Sequence, residues 1–117
     1  MKTAVLKKNG VSLIETVELA VDIKSRLIGL LGRSSLGKQR AIYLSPCSSI
    51  HTFFMGFTID LVFLDRAMLV TSIVRDVKPW RIVLGGVGAM SVVEVESGWL
   101  PVDVLKVGDM VSLSKNV

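Results

Sequence analysis

Residues 59–65 read IDLVFLD. In an extended chain successive side chains point to opposite faces, so Ile59, Leu61 and Phe63 line one face while Val62 and Leu64 line the other. A short run that is apolar on both faces belongs to a strand with neighbours on each side and cover above and below. Asp60 interrupts this run. A carboxylate in such a place must be paired, must accept backbone hydrogen bonds, or must sit at the strand's open end, because burying it unsatisfied is costly. The chain is thereby constrained to build a sheet around IDLVFLD and to find partners for one acid.

Other strand signals surround this one. TAVLKK and VSLIETVELA flank Asn9–Gly10, the dipeptide suited to a type I′ hairpin turn. The second arm alternates imperfectly, with Leu13, Glu15 and Val17 on one face and Ile14, Thr16 and Glu18 on the other. That pattern predicts an edge strand with one wet face. RAIYLSP predicts a strand ended by Pro46, and DRAM turns IDLVFL into LVTSIVRDV as a second hairpin. KPWR and LGGVGA break the pattern and read as loop. MSVVEVESG is a further strand, WLPVDVLKVGD a short turn or helix closed by a tight turn at Gly108–Asp109, and MVSLSK the closing strand. In DIKSRLIGLLGRSSLG, Ile23, Leu27, Leu30 and Leu31 recur at spacings of three and four, which predicts a helix over 22–32 with Asp22 as N-cap and Gly32 past its end. Together these predict an α+β domain, mainly antiparallel β, folded as a half-closed barrel or sandwich with one or two short helices.

At 117 residues, half of them hydrophobic, the chain supports one domain over 1–117 with a core that needs no disulfide. Its apolar runs fall far short of the roughly 20 residues a spanning helix requires. The opening MKTAVLKKNG places Lys7 and Lys8 where a secretory apolar region would run. One cysteine allows no internal bridge, and with that opening it predicts a cytoplasmic protein. The net charge of +4 is concentrated in residues 1–40, with eight basic and three acidic side chains. Nucleic-acid binding by that basic part is one reading. The charges are scattered singly with no aromatics interleaved for base stacking, which favours a solvated face.

The order of CSSIHTFFMGFTIDLVFLD, an upstream RLIGLLGRSSL, a downstream VVEVESG and a final LKVGDMVSL resembles the uncharacterised bacterial and archaeal family known as domain of unknown function 192. The likeness runs from about residue 15 to the C-terminus. Thr58 stands where that family usually has proline, and VEV where it usually has a leucine-rich LEL. The resemblance implies a compact, mainly β, barrel-like domain and carries no activity with it. Many members look exported behind a signal peptide.

The only cysteine and only histidine, Cys47 and His51, lie in one segment. As nucleophile and base they would be about 13 Å apart in an extended chain and within about 5–6 Å only if CSSIH turned helically. A thiol-dependent enzyme is therefore the alternative to a binding role. Cys47–x₃–His51–x₃–Met55 offers soft ligands suited to copper, with Asp60 or Asp65 to complete the set. The count falls short of a closed site and the acids have no recognisable spacing, so no metal and no cofactor is expected. LGGVG lacks the lysine–serine pair and the spacing of a phosphate cradle and reads as a flexible loop. The leading expectation is a binding or accessory module for a small polar ligand or a partner protein. His51, Thr52, Asp60 and Glu94 would be its contacts, with Phe53, Phe54 and Phe57 as apolar anchors. Asp60 is also expected to anchor the SSIHTFF loop through Ser48, Thr52 or His51.

Overall fold

The computed structural model describes residues 2–20, 40–53, 55–101 and 103–115. Their strands are β1 (Thr3–Lys8), β2 (Val11–Ala20), β3 (Arg40–Leu44), β4 (Ser49–His51), β5 (Ile59–Leu64), β6 (Val70–Val77), β7 (Ile82–Leu84), β8 (Ser91–Glu96) and β9 (Ser112–Lys115). Seven of them form one sheet in the order β6-β5-β8-β3-β2-β1-β9, and β4 and β7 form a separate two-stranded ribbon. Every pair in the large sheet is antiparallel except β2–β3.

The expected α+β class and half-closed barrel or sandwich are corrected by this arrangement. The described residues are all-β, and the large sheet is open, with β6 and β9 as its edges. Closure would require a ladder along those edges, whereas they are linked at one end by the isolated bridge Leu69–Met110. The helix expected over 22–32 lies outside the described residues. The stretch from Trp99 to Asp109, expected as a short turn or helix, is a run of turns, with Val104 N–H donating to Pro101 O and Asp109 N–H to Lys106 O. Gly108 takes φ +97° in the last of them, a conformation that favours glycine.

The first hairpin forms as its dipeptide predicts: Asn9 and Gly10 both have positive φ, at 53° and 76°, which defines a type I′ turn. Its second arm is not an edge, since β2 pairs with β1 on one side and with β3 on the other. The imperfect alternation comes from bulges. Between the pairs Ala4–Val17 and Leu6–Ile14, one residue of β1 faces two of β2, and the extra residue shifts the side-chain phase. Ile14 and Val17 are therefore both buried while Glu15 is exposed. In the DRAM turn, Asp65 accepts from the amides of Ala67 and Leu69.

The sheet is covered on both faces. On one, Val62, Leu64, Val93 and Val95 pack with Ala4, Leu6, Ile14 and Val17 beneath Leu100, Leu105 and Val111 of the turn segment. On the other, Ile42, Leu44, Ile59, Leu61, Phe63 and Val92 pack beneath Ile50, Met55 and Ala89, with Val83 and Phe57 joining from the rim. β5 is buried at all six positions as a result. Gly85, just past β7, lies against this second layer. A Cβ there would fall 2.5 Å from Phe63 Cδ1 and 2.7 Å from Ala89 Cβ, so the loop can seat only as glycine. Gly85→Ala is expected to lower stability by about 1–3 kcal/mol through overpacking. Urea unfolding measures this, and an unchanged midpoint would show that Phe63 yields without cost.

Candidate functional site

Thr52 is fully buried, and all but one of its hydrogen bonds, that from Met55 N–H to its carbonyl, go to a single turn. Its hydroxyl donates to Lys78 O at 2.7 Å and accepts from Arg81 N–H at 2.9 Å. Its own N–H donates to Arg81 O at 2.8 Å, and its carbonyl accepts from Trp80 N–H at 3.0 Å. KPWR is thus wound around one threonine. Within it Trp80 holds φ +65°. A bulky residue in that region is an outlier costing about 1–3 kcal/mol, and it persists where surrounding bonds over-determine the backbone. Those bonds come from Thr52.

The turn leads directly into the β4–β7 ribbon, whose register is Ser49–Leu84, Ile50–Val83 and His51–Ile82. Paired residues share a face. Ile50 and Val83 point into the core, so Ser49, His51, Ile82 and Leu84 face outward. The His51 ring lies 5.1 Å from the Phe53 ring, which stacks on Trp80 at 5.6 Å. Trp80, Ile82, Leu84 and Val87 are 57, 68, 75 and 101% exposed. Large apolar side chains gathered in this way on one ribbon and its adjoining loop are the mark of a contact surface.

Of the expected site residues, the structure places His51 and Thr52 side by side at this surface, one facing out and the other supporting the turn from within. Phe53 joins them, Phe57 packs partly into the core, and Phe54 lies outside the described residues. Cys47 precedes β4, its thiol donating to Ser49 O at 3.0 Å. Residues 49–51 are extended rather than helical, so the turn that would set Cys47 and His51 on one face is not formed. Met55 is buried in the apolar core. Among the described residues no three His, Cys, Asp or Glu side chains gather around a common point that could hold a metal ion.

Asp60 is an anchor, but of a different segment from the one expected. Between the pairs Ile59–Val77 and Leu61–Val74, Asp60 faces two residues of β6, Arg75 and Asp76. The bulge leaves the Asp76 amide without a ladder partner, and Asp60 Oδ1 accepts it at 2.8 Å. Oδ2 accepts from Gly98 N–H at 3.1 Å and from Arg75 Nη1 at 3.2 Å. Arg75 Nη1 also donates to Leu100 O at 2.8 Å, and the Ser97 hydroxyl donates to the Asp76 carboxylate. The loop tied down is 97–101, in place of SSIHTFF, because the bulge brings the β6 amide and guanidinium to the acid.

Glu94 has the opposite environment. It sits on β8 between Ile42 of β3 and Leu61 of β5 and is 5% exposed. Burial pushes its carboxyl from 4.5 up to about 8, so it is mostly protonated at neutral pH.

The residues that sequence reasoning missed are Trp80, Arg81, Ile82 and Leu84, which fell in a stretch set aside as loop. The available signal was alternation in RIVL, with Ile82 and Leu84 flanking a single inward Val83, next to a tryptophan between two cations.

Comparison with known proteins agrees with this architecture. The family model for domain of unknown function 192, described as "Uncharacterized ACR", matches residues 4–113, extending the likeness beyond residue 15 to include the first hairpin. No curated protein matches. A protein of unknown function from Novosphingobium aromaticivorans DSM 12444 superimposes with a TM-score of 0.79 at 18% identity, covering 94% of this chain and 83% of that one. A protein from Sinorhizobium meliloti 1021, described as a "putative transcription regulator", superimposes with a TM-score of 0.78 at 19% identity, covering 96% and 92%. At these identities the likeness is one of fold.

The two buried acids are expected to respond to substitution with opposite signs. Asp60→Ala leaves the Asp76 and Gly98 amides without their acceptor and takes the carboxylate from Arg75, and should cost about 3 kcal/mol. For Glu94 the unfolded chain releases its proton near 4.5 and the folded chain near 8, so stability is highest below the first value and falls as pH rises through the second. Glu94→Gln should remove that fall and be the more stable protein at alkaline pH. Urea midpoints measured between about pH 5 and 8.5 check both; parallel pH profiles for Glu94→Gln and the parent chain would refute the second.

Proposed function

The chain belongs to the family of domain of unknown function 192, and we propose that within it this protein is a binding or accessory module rather than a catalyst. Its recognition element is the outer face of the β4–β7 ribbon together with the His51–Phe53–Trp80 stack. The observation that carries this reading is the outward display of Trp80, Ile82 and Leu84 from a turn that Thr52 holds in a strained conformation. Of the four expected contact residues, His51 touches the bound partner and Thr52 positions Trp80. Asp60 and Glu94 act on the scaffold below, Asp60 by securing the β6 bulge. The Cys47 thiol is engaged with the Ser49 carbonyl of its own segment, and His51 lies on an extended strand that does not turn back to it. A broad, mostly apolar face suits an extended partner better than a small polar ligand, which calls for a concave site with converging polar groups.

Photo-crosslinking tests this reading. Leu84→p-benzoylphenylalanine, irradiated in cells producing the full chain, is expected to give discrete adducts to a partner molecule. Ser114→p-benzoylphenylalanine, on β9, should give none, and adducts from position 84 should fall in a Trp80→Ala background whose thermal melt is unchanged. Equal adducts from both positions, or none from position 84, would defeat the proposal.

A further inference from the structure

The ribbon face combines exposed apolar side chains with an uneven distribution of charge. Residues 46–58 contain no Asp, Glu, Lys or Arg, and residues 78–90 contain Lys78 and Arg81 but no acid. The carboxylate nearest before them in the chain, Asp76, accepts from the Ser97 hydroxyl. Arg81 Nη1 donates to Pro79 O at 3.3 Å and to Trp80 O at 3.4 Å, which keeps a cation beside the exposed indole. Beyond β7, Gly85 N–H donates to Ser48 O at 2.9 Å and Met90 N–H to Leu64 O at 2.8 Å. The loop is therefore pinned at both ends, and Val87 stands at its tip fully exposed.

From this we propose that the surface docks on an anionic lipid bilayer, an inference that rests on the ribbon being the recognition element. Trp80, Ile82, Leu84 and Val87 enter the boundary between headgroups and acyl chains, and Lys78 and Arg81 meet lipid phosphates. Tryptophan suits that depth because its ring is amphipathic, and cations beside an apolar surface add attraction to anionic lipid.

The alternatives fit less well. A second copy docked face to face would bring Lys78 and Arg81 of each chain against like charge. A protein partner is normally read through about one hydrogen bond per 100–200 Å². Here the outward ribbon positions offer only Ser49 and His51 as polar side chains, and along one side of each strand the backbone is taken up by the β4–β7 ladder. Attraction without directional bonds is what a lipid surface supplies. Among the described residues no helix is long and apolar enough to cross a membrane.

The experiment is co-sedimentation of the full chain with vesicles of phosphatidylcholine alone or mixed with phosphatidylglycerol, read together with tryptophan emission. Binding is expected to the anionic vesicles and to weaken as salt shortens the Debye length. It should come with a blue shift that Trp80→Phe abolishes, leaving Trp99 as the remaining emitter. Lys78→Gln/Arg81→Gln should weaken binding roughly 30-fold, from about 1 kcal/mol per cation near the surface. Ile82→Ser/Leu84→Ser should release the protein while keeping its thermal melt. The inference is overturned if the anionic vesicles do not retain the parent chain. It is also overturned if Ile82→Ser/Leu84→Ser binds undiminished, which would place the contact on other basic residues. Protein adducts from position 84 without vesicle binding would remove the lipid and leave the recognition face standing; loss of both would remove both.

Discussion

A carboxylate inside a strand that is buried on both faces is the constraint from which much of this structure follows. Asp60 cannot be left unsatisfied, and no residue on its own strand satisfies it. The solution is a bulge in β6, which frees one backbone amide and turns Arg75 toward the acid. Through Gly98 and Leu100 the same cluster fixes the chain as it leaves β8. That departure sets the course of the turn segment whose Leu100 and Leu105 roof one face of the sheet. One acid thus joins the pairing of two strands to the cover of a layer.

The other face is roofed differently, and the difference explains why Ile82 and Leu84 are exposed there. A two-stranded ribbon has one inward row and one outward row. With three residues per strand, its inward contribution is Ile50 and Val83 alone. So small an element is marginal by itself and takes its stability from the packing beneath and from the Thr52-centred turn at its end. Thr52 satisfies the backbone of KPWR, and the ribbon's outward Ile82 and Leu84 stay exposed.

What the sequence made legible follows from the range of the interactions involved. The Asn9–Gly10 hairpin, the Asp65 turn, and strands β5, β6 and β8 are each encoded by neighbours a few residues apart, through turn chemistry and period-two patterning. The parallel pairing of β2 with β3, which puts β2 in the interior, joins distant segments and leaves no local mark. The bulges in β2 and β6 change the side-chain phase, so strict alternation misreads Glu15 as evidence for an edge. The ribbon was hidden because three residues carry little periodicity, and because the order β4–β7 spans the whole of β5 and β6. A threonine that organises a turn 26 residues away has no signature beyond being buried and polar.

Comparing Asp60 with Glu94 shows why a buried acid is weak evidence for a ligand site. Both are carboxylic acids in the same sheet, and each interrupts an otherwise apolar strand. Asp60 meets two amides and a guanidinium, so its role is structural. Glu94 lies between Ile42 and Leu61, where protonation is the less costly state. Neither arrangement calls for a substrate to complete it, since one acid is satisfied by the fold and the other is neutralised by it. Burial of an acid therefore reports how the sheet settles its own electrostatics, by hydrogen bonds at Asp60 and by protonation at Glu94.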